Sequence, residues 1–122
     1  MIKILYVDDE LLNLLSFEML FRDNYDVKTA PNAKEGWNIF NNENINIIVS
    51  DQKMPGETGV AFLEKIASTN SKTLRIIHSG LSEKDEDISR AIKNNTVNAF
   101  LDKPLNENRL ISIIDSYIAS NI

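Results

Sequence analysis

Cysteine is absent from this 122-residue chain. That excludes disulfides, thiolate metal sites and cysteine nucleophiles. Nowhere do apolar residues run for the roughly 20 positions that a membrane span needs, and the N-terminus lacks the charged-then-apolar layout of a signal peptide. The expectation is therefore no membrane partner and a cytoplasmic location. Basic residues are in deficit, with 13 Lys and Arg against 18 Asp and Glu and a net charge of −5. Direct nucleic-acid binding needs a basic face for phosphate contacts, so none is expected. Linkers, repeats and low-complexity segments are also missing, which implies a single domain over 1–122 with no output domain visible. The remainder, 43% hydrophobic and 25% charged, is ordinary for a soluble globular domain.

Strand-like apolar runs alternate with helix-period segments along the whole chain. Ile2–Val7 reads as a strand, and Glu10 to about Asp23 as a helix. In that helix Leu11, Leu15 and Met19 stand one turn apart, with Leu12 and Leu20 widening the stripe expected to face the core. Val27–Ala30 is a short strand, after which Pro31 and Asn32 open a helix with Ala33, Trp37 and Phe40 on one side. The third strand, Asn46–Ser50, follows on Ile45, and Ile45–Val49 is nearly continuous in apolar residues, as a central parallel strand covered on both faces should be. Met54-Pro55-Gly56 breaks the chain, and Thr58 is placed to cap a third helix with Val60, Leu63, Ile66 and Ala67 inward. Leu74–His78 is the fourth strand. A fourth helix, Glu83–Asn94, has a sparse apolar stripe of Ile88, Ala91 and Ile92. Asn98–Leu101 is the fifth strand, and a last helix from Asn106 buries Leu110, Ile113, Ile114, Tyr117 and Ile118.

The order βαβαβαβαβα predicts a doubly wound parallel sheet with five helices on its two faces. The expected fold is flavodoxin-like, with strand order 2-1-3-4-5 and its switch point between strands one and three. Ligands of such sheets bind outside the carboxyl ends of the strands. Four of the strands end there in residues suited to phosphoryl chemistry: Asp8-Asp9, Asp51, Ser79, and Asp102-Lys103-Pro104.

Each of these alone has a plainer reading. Asp8-Asp9 could be a solvated turn before a helix, Asp51 a turn-former, Ser79 a polar residue before Gly80, and Lys103-Pro104 a loop. Together they make a different case. Two carboxylates about 4 Å apart repel by roughly 4 kcal/mol at an effective dielectric of 20, so three together ask for a cation. An all-oxygen site suits Mg²⁺, or Mn²⁺, rather than zinc. Between such an ion and a lysine, the Asp51 carboxylate can attack phosphorus and form an acyl phosphate. His78, the single histidine, should point away from Ser79 by strand alternation, which gives it a structural role. Trp37 belongs to a helix-period stripe and reads as core.

Val7-Asp8-Asp9-Glu10, the run Ser50-Asp51-Gln52-Lys53-Met54-Pro55-Gly56 with Gly59, Ser79-Gly80, and Phe100 through Pro104 resemble the signature of response-regulator receiver domains of two-component systems. The likeness covers essentially the whole chain. It implies that Asp51 is the phosphoacceptor, charged from a phosphohistidine on a sensor histidine kinase or phosphotransfer protein. It implies that Asp9 is a direct Mg²⁺ ligand, that Asp8 acts mainly through water, and that Lys53 contributes only its backbone carbonyl. Ser79 corresponds to the switch hydroxyl, Phe100 to the aromatic switch position, and Lys103 to the invariant lysine, joined to Pro104 by a bond that is cis in the family. Phosphorylation would then change affinity for a downstream effector, or for a second copy, at the face of helix four, strand five and helix five.

Two other functions compete. A Mg²⁺-dependent phosphatase acting through an aspartyl phosphate needs an acid/base carboxylate two residues after its nucleophile, where this chain has Lys53. A pseudo-receiver used only for docking would have no need of the full acidic, hydroxyl and lysine set. The expectation is a phosphorylatable signalling domain, not an enzyme.

Overall fold

The computed structural model describes residues 1–121; Ile122, the last residue of the expected domain, lies outside them. Strands and helices alternate as β1 (Lys3–Val7), α1 (Leu11–Phe21), β2 (Asp26–Ala30), α2 (Ala33–Asn42), β3 (Ile47–Ser50), α3 (Gly59–Thr69), β4 (Leu74–Ser79), α4 (Glu86–Lys93), β5 (Ala99–Asp102) and α5 (Glu107–Ser120). All pairings are parallel and the strand order is 2-1-3-4-5. The flavodoxin-like sheet read from the sequence is thus the observed one. Helices α2 and α3 begin where side chains satisfy free amides, with Asn32 accepting from Glu35 N and Thr58 from Ala61 N. Helix α4 starts three residues later than expected, because the Asp85 carboxylate accepts from the Asp87 and Ile88 amides and sets the boundary there.

Strand alternation sorts the core into two halves. Leu5, Val7, Ile48, Ile77 and Phe100 pack with Phe40, Phe62, Leu63, Ile66, Ile88 and Ala91 on the side of α2, α3 and α4. Ile4, Tyr6, Ile47, Val49, Ile76 and Leu101 pack with Leu14, Phe17, Phe21, Leu110 and Ile114 on the side of α1 and α5. Trp37 is only partly buried, stacked on Phe40 with the Lys65 ammonium over its ring.

Helix α1 corrects the sequence reading. Leu11, Leu12, Leu15, Met19 and Leu20 are 45–75% exposed, and Leu14, Phe17 and Phe21 take the buried face. The helix is apolar nearly all round, so periodicity alone could not choose a side. Aromatic area decides it: Phe17 stacks on Tyr6 of β1 at 4.1 Å between ring centroids and meets Phe21 at 4.7 Å. Five large apolar side chains are left on the surface.

At the amino ends of the strands, Arg75 is buried and donates to the carbonyls of Ser71, Thr73, Asn95 and Thr96 at 2.7–3.0 Å. It ties the entry of β4 to the turn before β5, where Asn95 adopts a positive φ of 64°.

Candidate functional site

The switch point of the sheet brings the acidic residues together. Val7 pairs with Ser50, and the Asp51 amide donates to the Val7 carbonyl at 2.8 Å, so Asp8 and Asp51 leave neighbouring strands side by side. Asp8 and Asp51 are buried while Asp9 is exposed, and one oxygen from each lies within 4.8 Å of the others. The loop after β3 is held close by Gln52, whose carbonyl accepts from Gly59 N and whose side-chain oxygen accepts from Val60 N. Gly59 has to be glycine here, since a Cβ would collide with the Asp51 carbonyl oxygen.

Lys103 reaches this cluster from the end of β5. Its Nζ lies 3.1 Å from Asp51 Oδ2 and 3.2 Å from Asp8 Oδ2, and the Lys103-Pro104 bond is cis. Asp51 Oδ1 accepts from the Gln52 amide at 2.8 Å, so both carboxylate oxygens are positioned. Burial raises the Asp51 carboxyl above its ordinary value, and the Asp8 charge adds to the rise; Lys103 and the Gln52 amide oppose it without cancelling it. Burial alone would lower Lys103, but its contacts with Asp51 and then Asp8 hold it above its ordinary value.

Ser79 ends β4 buried, its Oγ accepting from Leu81 N at 3.0 Å while its backbone carbonyl accepts from Lys103 N at 3.0 Å. The hydroxyl hydrogen is thus free to donate elsewhere. Phe100 pairs with Ile77 in the sheet and is buried in the core under α4, apart from the acidic cluster. Lys53 is exposed in the loop beyond Asp51.

Four residues escaped the sequence reading. Gln52 is one. Asn13 is the second: from the first turn of α1 it donates Nδ2 to Asp8 Oδ2 at 3.0 Å. Tyr6 and His78 are the others, since the Tyr6 hydroxyl sits 3.1 Å from Asp8 Oδ2 and 3.1 Å from His78 Nδ1. His78 does point away from Ser79, as alternation required, yet one hydroxyl links it to the site. Burial, and next the Lys103 charge, push its imidazole down to about 4, and burial raises the Tyr6 phenol, so both are neutral at ordinary pH. Tyr6 stands two residues before Asp8 on one strand face, a spacing that could have revealed it.

The family model for the response regulator receiver domain matches residues 4–115. The chain belongs to that family. Receiver domains are signalling modules rather than classical enzymes. This receiver is 30% identical to the hydrogenase transcriptional regulatory protein HoxA of Bradyrhizobium diazoefficiens over 91% of its own length, and spans only 23% of that regulator. It is 32% identical to an uncharacterised 14.6 kDa protein of Leptolyngbya boryana, covering 93% of this chain and 88% of that one. In structure it is similar to a CheY-like response regulator receiver domain protein from Methanospirillum hungatei, with a TM-score of 0.89 and 27% identity over 98% of this chain and 95% of that one. No helix among the described residues is long and apolar enough to cross a membrane.

Proposed function

We propose that this receiver accepts a phosphoryl group onto Asp51 from a phosphohistidine of a sensor histidine kinase or phosphotransfer protein, in a Mg²⁺-dependent reaction. The observation that carries the reading is the Asp51 carboxylate, buried between Asp8 and Asp9 on one side and Lys103 Nζ at 3.1 Å on the other. Asp8, Asp9 and Asp51 together with the Lys53 carbonyl form a hard, all-oxygen donor set that fits Mg²⁺, or Mn²⁺ in its place. When bound, the ion supplies positive charge for the transferring phosphoryl oxygens. An Asp51 oxygen attacks phosphorus, the phosphorus–nitrogen bond of the donor breaks, and the imidazole departs with the bonding pair. Lys103 stabilises the charge spread over the phosphoryl oxygens, and the Gln52 amide keeps the carboxylate plane from turning.

The Ser79 hydroxyl, with its hydrogen free, then donates to the phosphoryl group and draws the following loop inward. Phe100, already buried, repacks against the shifted loop, and the face of α4, β5 and α5 changes its affinity for a downstream effector or a second copy. The exposed apolar side of α1 supports a place for the donor. Its Leu20 also lines a groove shared with Glu10, Asn13 and Lys103 beside the site, and uncovered apolar surface of this kind marks interaction faces. We place the protein in the cytoplasm, where kinases of this type hold their phosphohistidine.

Phosphoramidate with MgCl₂ tests the chemistry, read by intact mass. One phosphoryl group per chain is expected, dependent on Mg²⁺ and lost in Asp51→Asn. Phosphorylation that persists in that variant would overturn the assignment.

A further inference from the structure

Between α1 and the loop after β5 runs a groove of about 510 Å³ in which Tyr6, Phe17 and His78 meet. The phosphoryl chemistry above uses none of the three. The Tyr6 hydroxyl owns one hydrogen and faces two partners, Asp8 Oδ2 and His78 Nδ1, each at 3.1 Å. An ionised carboxylate can only accept, so the hydrogen goes to Asp8. The Tyr6 oxygen must then accept from Nδ1, and a neutral imidazole carries one N–H, so His78 is the Nδ1–H tautomer. Nε2 is left as a bare acceptor. It is also the buried side-chain atom without a hydrogen-bond partner among the described residues. The opposite tautomer would bury an unpaired donor at Nε2 and set a lone pair on Nδ1 against an oxygen whose hydrogen is already committed.

Asp8 shows what this chain of bonds does. Its Oδ2 accepts from Tyr6, from Asn13 Nδ2 at 3.0 Å and from Lys103 Nζ at 3.2 Å, while among the described residues Oδ1 accepts only from the Glu10 amide, at 2.9 Å. The capacity of Oδ2 is filled, and that of Oδ1 is not. We infer that Tyr6 and His78 are positioning residues: the relay from His78 Nδ1–H to Tyr6 Oη–H to Asp8 Oδ2 fixes the carboxylate so that Oδ1 is presented to Mg²⁺ or its bound water. The inference rests on the reading of Asp8 as part of a Mg²⁺ site. Stacking of Tyr6 on Phe17, with planes 5° apart, holds the phenol in line from the other side. Metal ligands elsewhere depend in the same way on outer partners that orient them.

The test uses the whole chain, with three readouts: the tautomer of its single histidine by long-range ¹H–¹⁵N correlation, the MgCl₂ dissociation constant by calorimetry, and phosphoramidate acceptance by intact mass. Tyr6→Phe keeps the ring stack and removes both hydrogen bonds. His78→Phe removes the outer donor, and His78→Asn restores one near the Nδ1 position. Wild-type His78 is expected as Nδ1–H. Tyr6→Phe and His78→Phe should weaken Mg²⁺ binding by about 10-fold, the lower end of the range for such partners, and His78→Asn should recover most of that loss. An Nε2–H tautomer in the wild type overturns the relay. So does a folded Tyr6→Phe protein that binds Mg²⁺ and is phosphorylated like the wild type. A wild-type chain that neither binds Mg²⁺ nor is phosphorylated overturns the reading of the site itself.

Discussion

Arg75 and Asp51 are buried charges at opposite ends of one sheet, and the fold treats them in opposite ways. At the amino end, Arg75 has no carboxylate partner among the described residues, but four backbone carbonyls accept from its guanidinium. Burial lowers its pKa, yet a guanidinium starts so high that it stays charged. At the carboxyl end, three carboxylates cluster, two of them share one lysine, and Asp51 remains harder to ionise than an ordinary aspartate. Structural charge is satisfied from within the chain, whereas functional charge is left short of a partner. A site built to receive a cation and a phosphoryl group has to keep that shortage.

The strongest way to break this contrast is Arg75→Leu. It removes four hydrogen bonds and strands buried carbonyls, for an expected loss of roughly 3–5 kcal/mol in urea unfolding. A loss under about 1 kcal/mol would mean that water serves those carbonyls equally well. Asp51→Asn should act in the other direction, stabilising the metal-free protein by about 1 kcal/mol, or roughly 4 °C in Tm, at neutral pH. The sign follows from the raised carboxyl. Its favourable contribution is complete below the ordinary value of 3.8 and is lost as pH rises through the folded value, so at neutral pH the ionised group costs stability. The advantage of Asn should therefore shrink as the solution is acidified, and thermal melts across pH would show it. The smallest effect concerns the apolar counterpart of the same shortage, the uncovered face of α1. Leu15→Ala should change stability by less than about 0.5 kcal/mol, because its side chain is already half in water.

Much of the site was legible because strand ends are easy to locate. An apolar run of four to six residues stops where its backbone leaves the sheet, so Asp8, Asp51, Ser79 and Lys103 could be assigned to one edge from the sequence alone. Helix faces were harder. The face of α4 was read correctly because its few apolar residues leave one choice, and that of α1 wrongly because its many apolar residues leave several. The supporting hydrogen bonds were hidden for another reason. Asn13, Gln52 and His78 act through single polar atoms whose direction no periodicity reports, and only the two-residue spacing of Tyr6 from Asp8 offered a signal.

The amino-acid sequence by itself determined the alternation of strands and helices, the parallel sheet and the four residues at its carboxyl edge, since these follow from local patterns and short connections. Tertiary structure alone decided which side of α1 is buried, how Arg75 is satisfied, and that a tyrosine and a histidine stand behind Asp8. Those outcomes depend on partners 20 to 72 positions apart in the contacts of Arg75 with Asn95 and Thr96 and of Tyr6 with His78 or on competition between apolar faces, and neither is written into any local stretch of chain.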